Sequence, residues 1–260
     1  MDFTERFKAN EIEQERFKEA VKTASLRFLE CDAPAEIGRL AEKTIHATLK
    51  NYFAKPEEQE VKVGSFFADA KTAEGIFEIQ TRQFYRMKRK LTEFLQDNVV
   101  CIVYPVRYKR LVKWIEPDTG EIVAENKWHQ KDLGYTIFRE LYGIREFLDN
   151  GNLRICLMYV ESDEYKFLDG YGKDRKIRAT RMDGVPTKLV AEVNLCVPED
   201  FGIFLPEELS GCEFGVKEFE KAAHIKNDTA QKCISVLRQL GLVDFVRTEG
   251  KRNIFVFSHK

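Results

Sequence analysis

The chain has 260 residues, of which 43% are hydrophobic and 33% are charged, with a net charge of -1. This composition is typical of a soluble globular protein with one large domain or two smaller ones, and it excludes a largely disordered chain. No apolar run approaches the ~20 residues that span a bilayer, and the N-terminus lacks the apolar stretch of a secretory signal. We therefore expect a cytoplasmic protein with no membrane partner.

The six cysteines do not form a metal-binding pattern. Cys101, Cys156 and Cys196 lie in apolar runs that are typical of buried strands, where a free cysteine behaves as a small apolar residue. No C-x2-C pair or regular Cys/His spacing is present. We predict reduced structural thiols rather than disulfides or a zinc site.

The first part of the chain has the period of amphipathic helices. Residues 3–30 are predicted to form one helix, for packing or dimerisation. A second helix is predicted over 35–53, because Pro34 favours a helix start and Pro56 follows its end.

The next segment alternates between strand and helix patterns. Residues 60–68 predict one strand and 76–80 a second, joined by a turn at 71–75 into a hairpin. Helical periodicity returns at 84–95, and 99–104 is predicted to be a buried strand. This order predicts an α/β fold with a mixed sheet flanked by helices.

Beyond this core, a separate hairpin is predicted at 106–133, and a helix at 135–148 and a strand at 153–160 extend the sheet. Short elements and a basic loop follow, and then a linker. We therefore predict an N-terminal helix plus α/β domain over 1–197 and a small domain over 207–260.

An acidic group lies on the predicted hairpin. Asp69 ends one strand, Glu78 lies in the next, and Gln80 shares a strand face with Glu78. Glu42 adds a carboxylate from the preceding helix. His46, one turn after Glu42, is expected to be packed or exposed rather than part of the site. Converging carboxylates are what a divalent-metal site for phosphodiester hydrolysis needs.

The order of elements over about residues 34–105, together with Asp69, Glu78-Ile79-Gln80 and Glu42, resembles the PD-(D/E)XK nuclease superfamily, in its Holliday-junction-resolvase-like branch. The resemblance implies that Asp69 and Glu78 hold Mg²⁺ or Mn²⁺, with Glu42 assisting. It also implies that Gln80 takes the position of the family's lysine, which orients and activates the attacking water.

Two features depart from the family's pattern. Ala68 stands where a proline precedes the aspartate, and Gln80 brings an amide, which offers neither a positive charge nor an ionisable base. Arg82 could supply the missing charge. The departures leave open a DNA-binding protein with an inert core.

A basic segment follows the acidic group. Four basic residues at helical spacing predict one basic helix face that contacts phosphates beside the site. These residues are Arg82, Arg86, Arg89 and Lys90. The alternative is a solvated helix face.

A second basic segment, 171–181, has few apolar residues. We expect it to be disordered without nucleic acid and to close over a phosphate backbone, or else to act only as a solubilising loop. Its basic residues are Lys173, Arg175, Lys176, Arg178 and Arg181.

The C-terminal segment predicts two helices, 214–223 and 229–240, followed by a hairpin over 242–257. This order resembles the winged helix-turn-helix family. The resemblance implies DNA contact through the major groove by the second helix and to the backbone by the wing. The predicted contacts, beside Asn227, are Thr229, Gln231 and Lys232 on the helix, with Lys251 and Arg252 on the wing.

The predicted function is divalent-metal-dependent cleavage of DNA. A DNA-binding regulator with an inert nuclease-like core is one alternative, and an interaction protein assembled through the C-terminal unit and the first helix is another. A homodimer would suit cleavage of both strands.

Overall fold

The computed structural model describes residues 6–29, 41–116, 118–129, 134–168 and 180–258. Side chains at 26–29, 41–43 and 180–183 lie outside that description. No helix in the described ranges is long and apolar enough to cross a bilayer.

A mixed sheet of seven strands forms the centre of the molecule, in the order β1-β2-β3-β4-β6-β7, with β5 paired to β4. The strands are β1 (Gln59–Val63), β2 (Phe66–Thr72), β3 (Gly75–Ile79), β4 (Val100–Ile115), β5 (Ile122–His129), β6 (Leu153–Phe167) and β7 (Thr180–Leu195). Strand β4 runs parallel to β3 and β6, and the other pairs are antiparallel. This sheet with its flanking helices confirms the predicted α/β class.

Helices cover both faces of the sheet, as its buried side chains require. The helices before the sheet are α1 (Glu11–Leu29) and α2 (Ala41–Phe53). A 3₁₀ turn at Phe84–Met87 leads into α3 (Lys88–Phe94), and α4 (Ile137–Leu141) continues as a 3₁₀ helix over Tyr142–Phe147. Residues of α1 and α2 share one hydrophobic cluster with one face of the sheet, and α3 and α4 share the other.

The hairpin that carries the acidic group differs from the prediction. The alternating run at 60–68 is two strands, β1 and β2, because Gly64 turns the chain with a φ of 57°. The apolar positions change phase there, from Val61 and Val63 to Phe66 and Ala68, and the prediction of a single strand overlooked this change. Asp69 is consequently in the middle of β2, not at the end of a strand.

Strand β4 is also longer than predicted, with 16 residues that pass through Pro105. The predicted break there is wrong because β3 stops pairing at Val103 and β5 starts only at Lys109. Val103 turns its carbonyl toward β3, so Pro105, two residues on, faces the gap between β3 and β5. A proline is tolerated there because no neighbouring strand needs its N–H.

Where short elements are predicted in 161–195, the described residues form the far half of β6, to Phe167, and the 16-residue β7. Cys101 and Cys156 are buried as predicted, but Cys196 is exposed. Its apolar neighbours do not bury it, because β7 ends at Leu195.

The C-terminal unit contains α5 (Val216–Ala222), α6 (Asn227–Gln239), β8 (Val243–Glu249) and β9 (Arg252–Phe257). Its two strands pair antiparallel, so the predicted order of two helices and a hairpin is present. The predicted linker before this unit contains a 3₁₀ helix, Pro198–Phe204. Phe204 is buried there, and its carbonyl accepts a hydrogen bond from Tyr135 Oη at 2.9 Å.

Candidate active site

The site lies where β2 and β3 separate. Their register runs from Thr72↔Gly75 to Ala70↔Phe77 and stops there. At the next position, hydrogen bonds from side chains replace the backbone hydrogen bonds between the two strands. The Ile79 N–H donates to Asp69 Oδ2 at 2.8 Å, and the Asp69 N–H lies 3.3 Å from Glu78 Oε1. Each carboxylate therefore lies against a backbone N–H of the strand that carries the other one.

Glu78 has no accessible surface, and its side chain points toward helix α3. Lys90 Nζ donates to Glu78 Oε2 at 2.7 Å, and its side chain is only 20% exposed. Burial, and secondly the charge of Asp69, raise the pKa of Glu78 to about 7 despite that ion pair. Glu78 therefore changes protonation state near neutral pH.

Asp69 is held from the opposite side, by helix α2. His46 Nε2 lies 3.3 Å from Asp69 Oδ2. Burial alone would raise the pKa of Asp69, but the hydrogen bond and charge of His46 and the Ile79 N–H outweigh it and lower that pKa. The expectation that His46 stands apart from the site is wrong, since the helix register brings it to β2.

The site thus contains two adjacent carboxylates whose pKa values move in opposite directions. Asp69 is ionised across the neutral range, whereas Glu78 can exchange a proton there. Such a pair, with one group partly exposed and one fully buried, can bind a hard cation or act in acid–base chemistry.

The two other predicted site residues are Gln80 and Glu42. Gln80 directly follows β3, is half-buried, and donates its backbone N–H to the Val103 carbonyl at 3.0 Å. Glu42 lies in α2 one turn before His46, and its side chain is outside the described part of the chain. Within the described ranges, no group of three or more His, Cys, Asp or Glu side chains is arranged to hold a metal ion.

The predicted basic helix face is partly wrong. Arg82 precedes the helical segment, because Gln83 has a left-handed φ of 61° and the 3₁₀ turn begins only at Phe84. Arg86 and Arg89 are exposed. Lys90 turns inward to Glu78, because a buried carboxylate left without a partner would be strongly destabilising.

The second basic segment lies mainly outside the described part of the chain. Lys173, Arg175, Lys176 and Arg178 lie outside the residues that the structure describes, and so does the side chain of Arg181.

The predicted DNA contacts of the C-terminal unit separate into two groups. Thr229 is buried and unavailable to a ligand, because the first turn of α6 packs it inward. Lys232 pairs with Asp228 at 3.0 Å and Arg252 with Glu218 at 2.7 Å.

Two of the other contacts, Gln231 and Lys251, line a groove of about 480 Å³ between α6 and the hairpin. Asn227, Arg238 and the ion-paired Arg252 also line this groove.

Sequence reasoning missed the roles of Lys90 and His46 beside the carboxylates. Both residues lie within predicted helices. Lys90 is 12 residues after Glu78, and His46 is one turn after Glu42. The signal available in the sequence was the position of each residue relative to the buried face of its helix. Lys90 precedes the buried Leu91 and lies four residues before the buried Phe94, so it borders the face that packs on the sheet.

The fold and the site define an α/β protein with a carboxylate–lysine cluster where two strands of a mixed sheet separate. The chain belongs to the DUF8091 family, described as a domain of unknown function, whose model matches residues 43–196. The matched region contains His46, Asp69, Glu78 and Lys90, and it stops before the C-terminal unit.

An uncharacterized protein of Treponema pallidum (strain Nichols) is 28% identical over 141 residues, which are 54% of this chain and 56% of the relative. The chain thus spans about half the length of this curated relative. No solved structure matches the chain.

Proposed function

We propose that the protein is a divalent-metal-dependent DNA endonuclease whose active site contains Asp69, Glu78 and Lys90. The observation that carries the proposal is the pair of carboxylates, one fully buried and one partly exposed. Each is hydrogen-bonded to backbone of the other's strand, and a lysine ammonium lies 2.7 Å from Glu78. Carboxylates and a cation in a site partly shielded from water are the groups that stabilise phosphodiester hydrolysis.

The two carboxylates are the groups through which this site would bind a magnesium or manganese ion. Mg²⁺ commonly takes one or two protein carboxylates and completes its shell with water and substrate phosphate oxygens. Asp69 and Glu78 would hold the ion, and it would relieve the repulsion that contributes to the raised pKa of Glu78. When bound, such an ion polarises the phosphate and favours ionisation of a coordinated water.

The neighbouring side chains have separate tasks. Lys90 supplies the positive charge that Gln80 lacks, and it keeps Glu78 oriented in the free protein. Gln80 is left to orient a water through its amide. His46 fixes the rotamer of Asp69 through Oδ2, and thereby sets where the other carboxylate oxygen points.

DNA would reach this site along exposed positive charge. Arg86 and Arg89 are exposed on the same helical segment that carries Lys90, so phosphate contacts there would place the backbone beside the carboxylates. The groove of the C-terminal unit would add contacts of the winged-helix kind through Gln231 and Lys251. A homodimer remains our expectation for cutting both strands.

Cleavage of linear, single-stranded and four-way-junction DNA with Mg²⁺ or Mn²⁺ tests the proposal. Glu78→Gln should lower the rate by at least about 100-fold, because a metal ligand supplies several kcal/mol of transition-state stabilisation. Glu74→Gln, in the exposed turn between the same strands, is the matched control and should cut normally. Equal cleavage by wild type and Glu78→Gln would refute this active site.

One observation favours the inert-core alternative. The Lys90 ion pair already neutralises Glu78, which is the charge that a metal ion would otherwise balance. A calorimetric titration with Mn²⁺ separates the two functions. DNA binding without Mn²⁺ binding or cleavage would identify a DNA-binding regulator.

A further inference from the structure

The sheet continues well beyond the carboxylates as an arm, defined here as the far half of β4 from Val106 with β5 and the paired parts of β6 and β7. Strand β6 pairs with β4 from Val100 to Ile115, so β3 and β5 both pair with its other edge. The arm therefore extends the edge of β4 beside which Glu78 lies.

Trp128 of β5 forms a flat platform on this arm. It pairs in register with Arg110 of β4, whose guanidinium carbon lies 4.0 Å from the indole centroid. Arg110 is itself anchored to the buried Glu164 at 3.0 Å. Trp128 nevertheless remains 42% exposed, so the structure backs one part of the ring with a fixed cation and leaves another part open.

A groove of about 430 Å³ lies beside this platform. Three cationic side chains and two carboxylates line it, together with His129 and apolar or neutral residues. The carboxylates are already paired with lysines, Glu161 with Lys109 at 3.4 Å and Asp163 with Lys113 at 2.7 Å. The exposed Lys127 adds positive charge to the groove.

We propose that this groove binds an unpaired segment of DNA, with one base stacked on the indole of Trp128 and the adjoining phosphates near Lys109 and Lys127. The proposal rests on the proposed function, for which it names the form of DNA recognised beside the site. An indole backed by arginine and bordered by lysines is the arrangement that binds single strands, because every base has an aromatic face. A duplex hides those faces in its stack.

The groove lies further along β4 than the carboxylates. Glu78 pairs with Ile102 and Trp128 with Arg110, so the two levels are roughly 25 Å apart along β4 at ~3.3 Å per residue. A bulge in β4 between these levels turns Arg110 and Trp128 to the face of the sheet opposite that of Ile102 and Glu78. A DNA strand bound on the arm would therefore pass the edge of the sheet to reach the carboxylates.

Intrinsic fluorescence tests this directly, because Trp114 and Trp128 are the two tryptophans of the chain. Trp114→Phe leaves Trp128 as the sole emitter. Titration of that variant with a short oligothymidylate, in EDTA so that no cleavage occurs, should quench its emission. Fluorescence anisotropy of a labelled oligothymidylate measures the affinity. Trp128→Ala should lower that affinity roughly tenfold, and Trp128→Phe should lower it much less.

Matched probes separate stacking from charge. A chain of abasic sites and a polyglutamate should bind weakly and leave the emission unchanged. Quenching by polyglutamate equal to that by oligothymidylate, or unchanged affinity in Trp128→Ala with native circular dichroism, would overturn the proposal. Since no metal is present, these results do not depend on whether the Glu78 site cuts DNA.

Discussion

At the scale of single residues, Glu78 has an unusual position, because a carboxylate with no exposed surface lies next to a second carboxylate. Its pKa rises from 4.5 to about 7, with burial as the larger cause and Asp69 as the second. Lys90 limits that rise by pairing with it. The negative charge of Glu78 is therefore in an unfavourable, buried environment, which is typical of functional sites.

Glu78→Gln should remove a pH dependence of stability. A carboxyl whose pKa is raised on folding binds its proton more tightly in the folded state, so its contribution to stability falls as pH rises from 4.5 to about 7. Between pH 4.5 and 8, the free energy of unfolding of the wild type should fall relative to that of the variant by on the order of 3 kcal/mol.

Denaturant titrations in EDTA at several pH values measure this difference. Asp69 has a lowered pKa, so its stabilising contribution is lost only in more acidic solution and does not mask the effect. A constant difference between the two proteins from pH 4.5 to 8 would contradict the raised pKa.

At the scale of elements, helix α3 has two functionally different sides. Lys90 faces the sheet and ion-pairs with Glu78, while the adjacent Arg89 is exposed. The same element thus completes the site and offers charge to solvent, although both residues were predicted on one basic face.

Lys90→Met should therefore lower the free energy of unfolding at pH 8 by about 3 kcal/mol, because it leaves the Glu78 charge buried without its partner. Arg89→Met is the matched control and should change stability by less than ~0.5 kcal/mol. In the Glu78→Gln background the Lys90→Met effect should shrink to under ~1 kcal/mol, which a double-mutant cycle measures. Equal losses in both backgrounds would show that the ion pair is not the cause.

At the scale of the whole molecule, one hydrophobic cluster joins the sheet to the C-terminal unit. It includes Ile102 of β4, Phe138 of α4 and Leu237 of α6. Arg139 of α4 also pairs with Asp228 of α6 at 3.1 Å. The two predicted domains therefore share a packed boundary, and we expect them to unfold together.

Leu237→Ala tests this coupling from the side of the C-terminal unit. Leu237 is fully buried, so the substitution should cost about 2–5 kcal/mol. Both tryptophans lie in the sheet, and thus their fluorescence transition should shift by the same amount as the circular dichroism transition. Val246→Ala, at an exposed site of β8, should shift neither. An unchanged tryptophan transition would show that the units unfold separately.

Sequence by itself determined the α/β class, most of the helices and the residues that form the carboxylate pair. These features depend on local periodicity and on strand neighbours close in the chain, as with Asp69 and Glu78. Tertiary structure alone decided that β4 passes through Pro105, that Thr229 is buried, and that His46 and Lys90 reach the carboxylates from opposite faces. Each of these depends on which elements pack together, and side-chain pairing across the sheet leaves no periodic trace in the sequence.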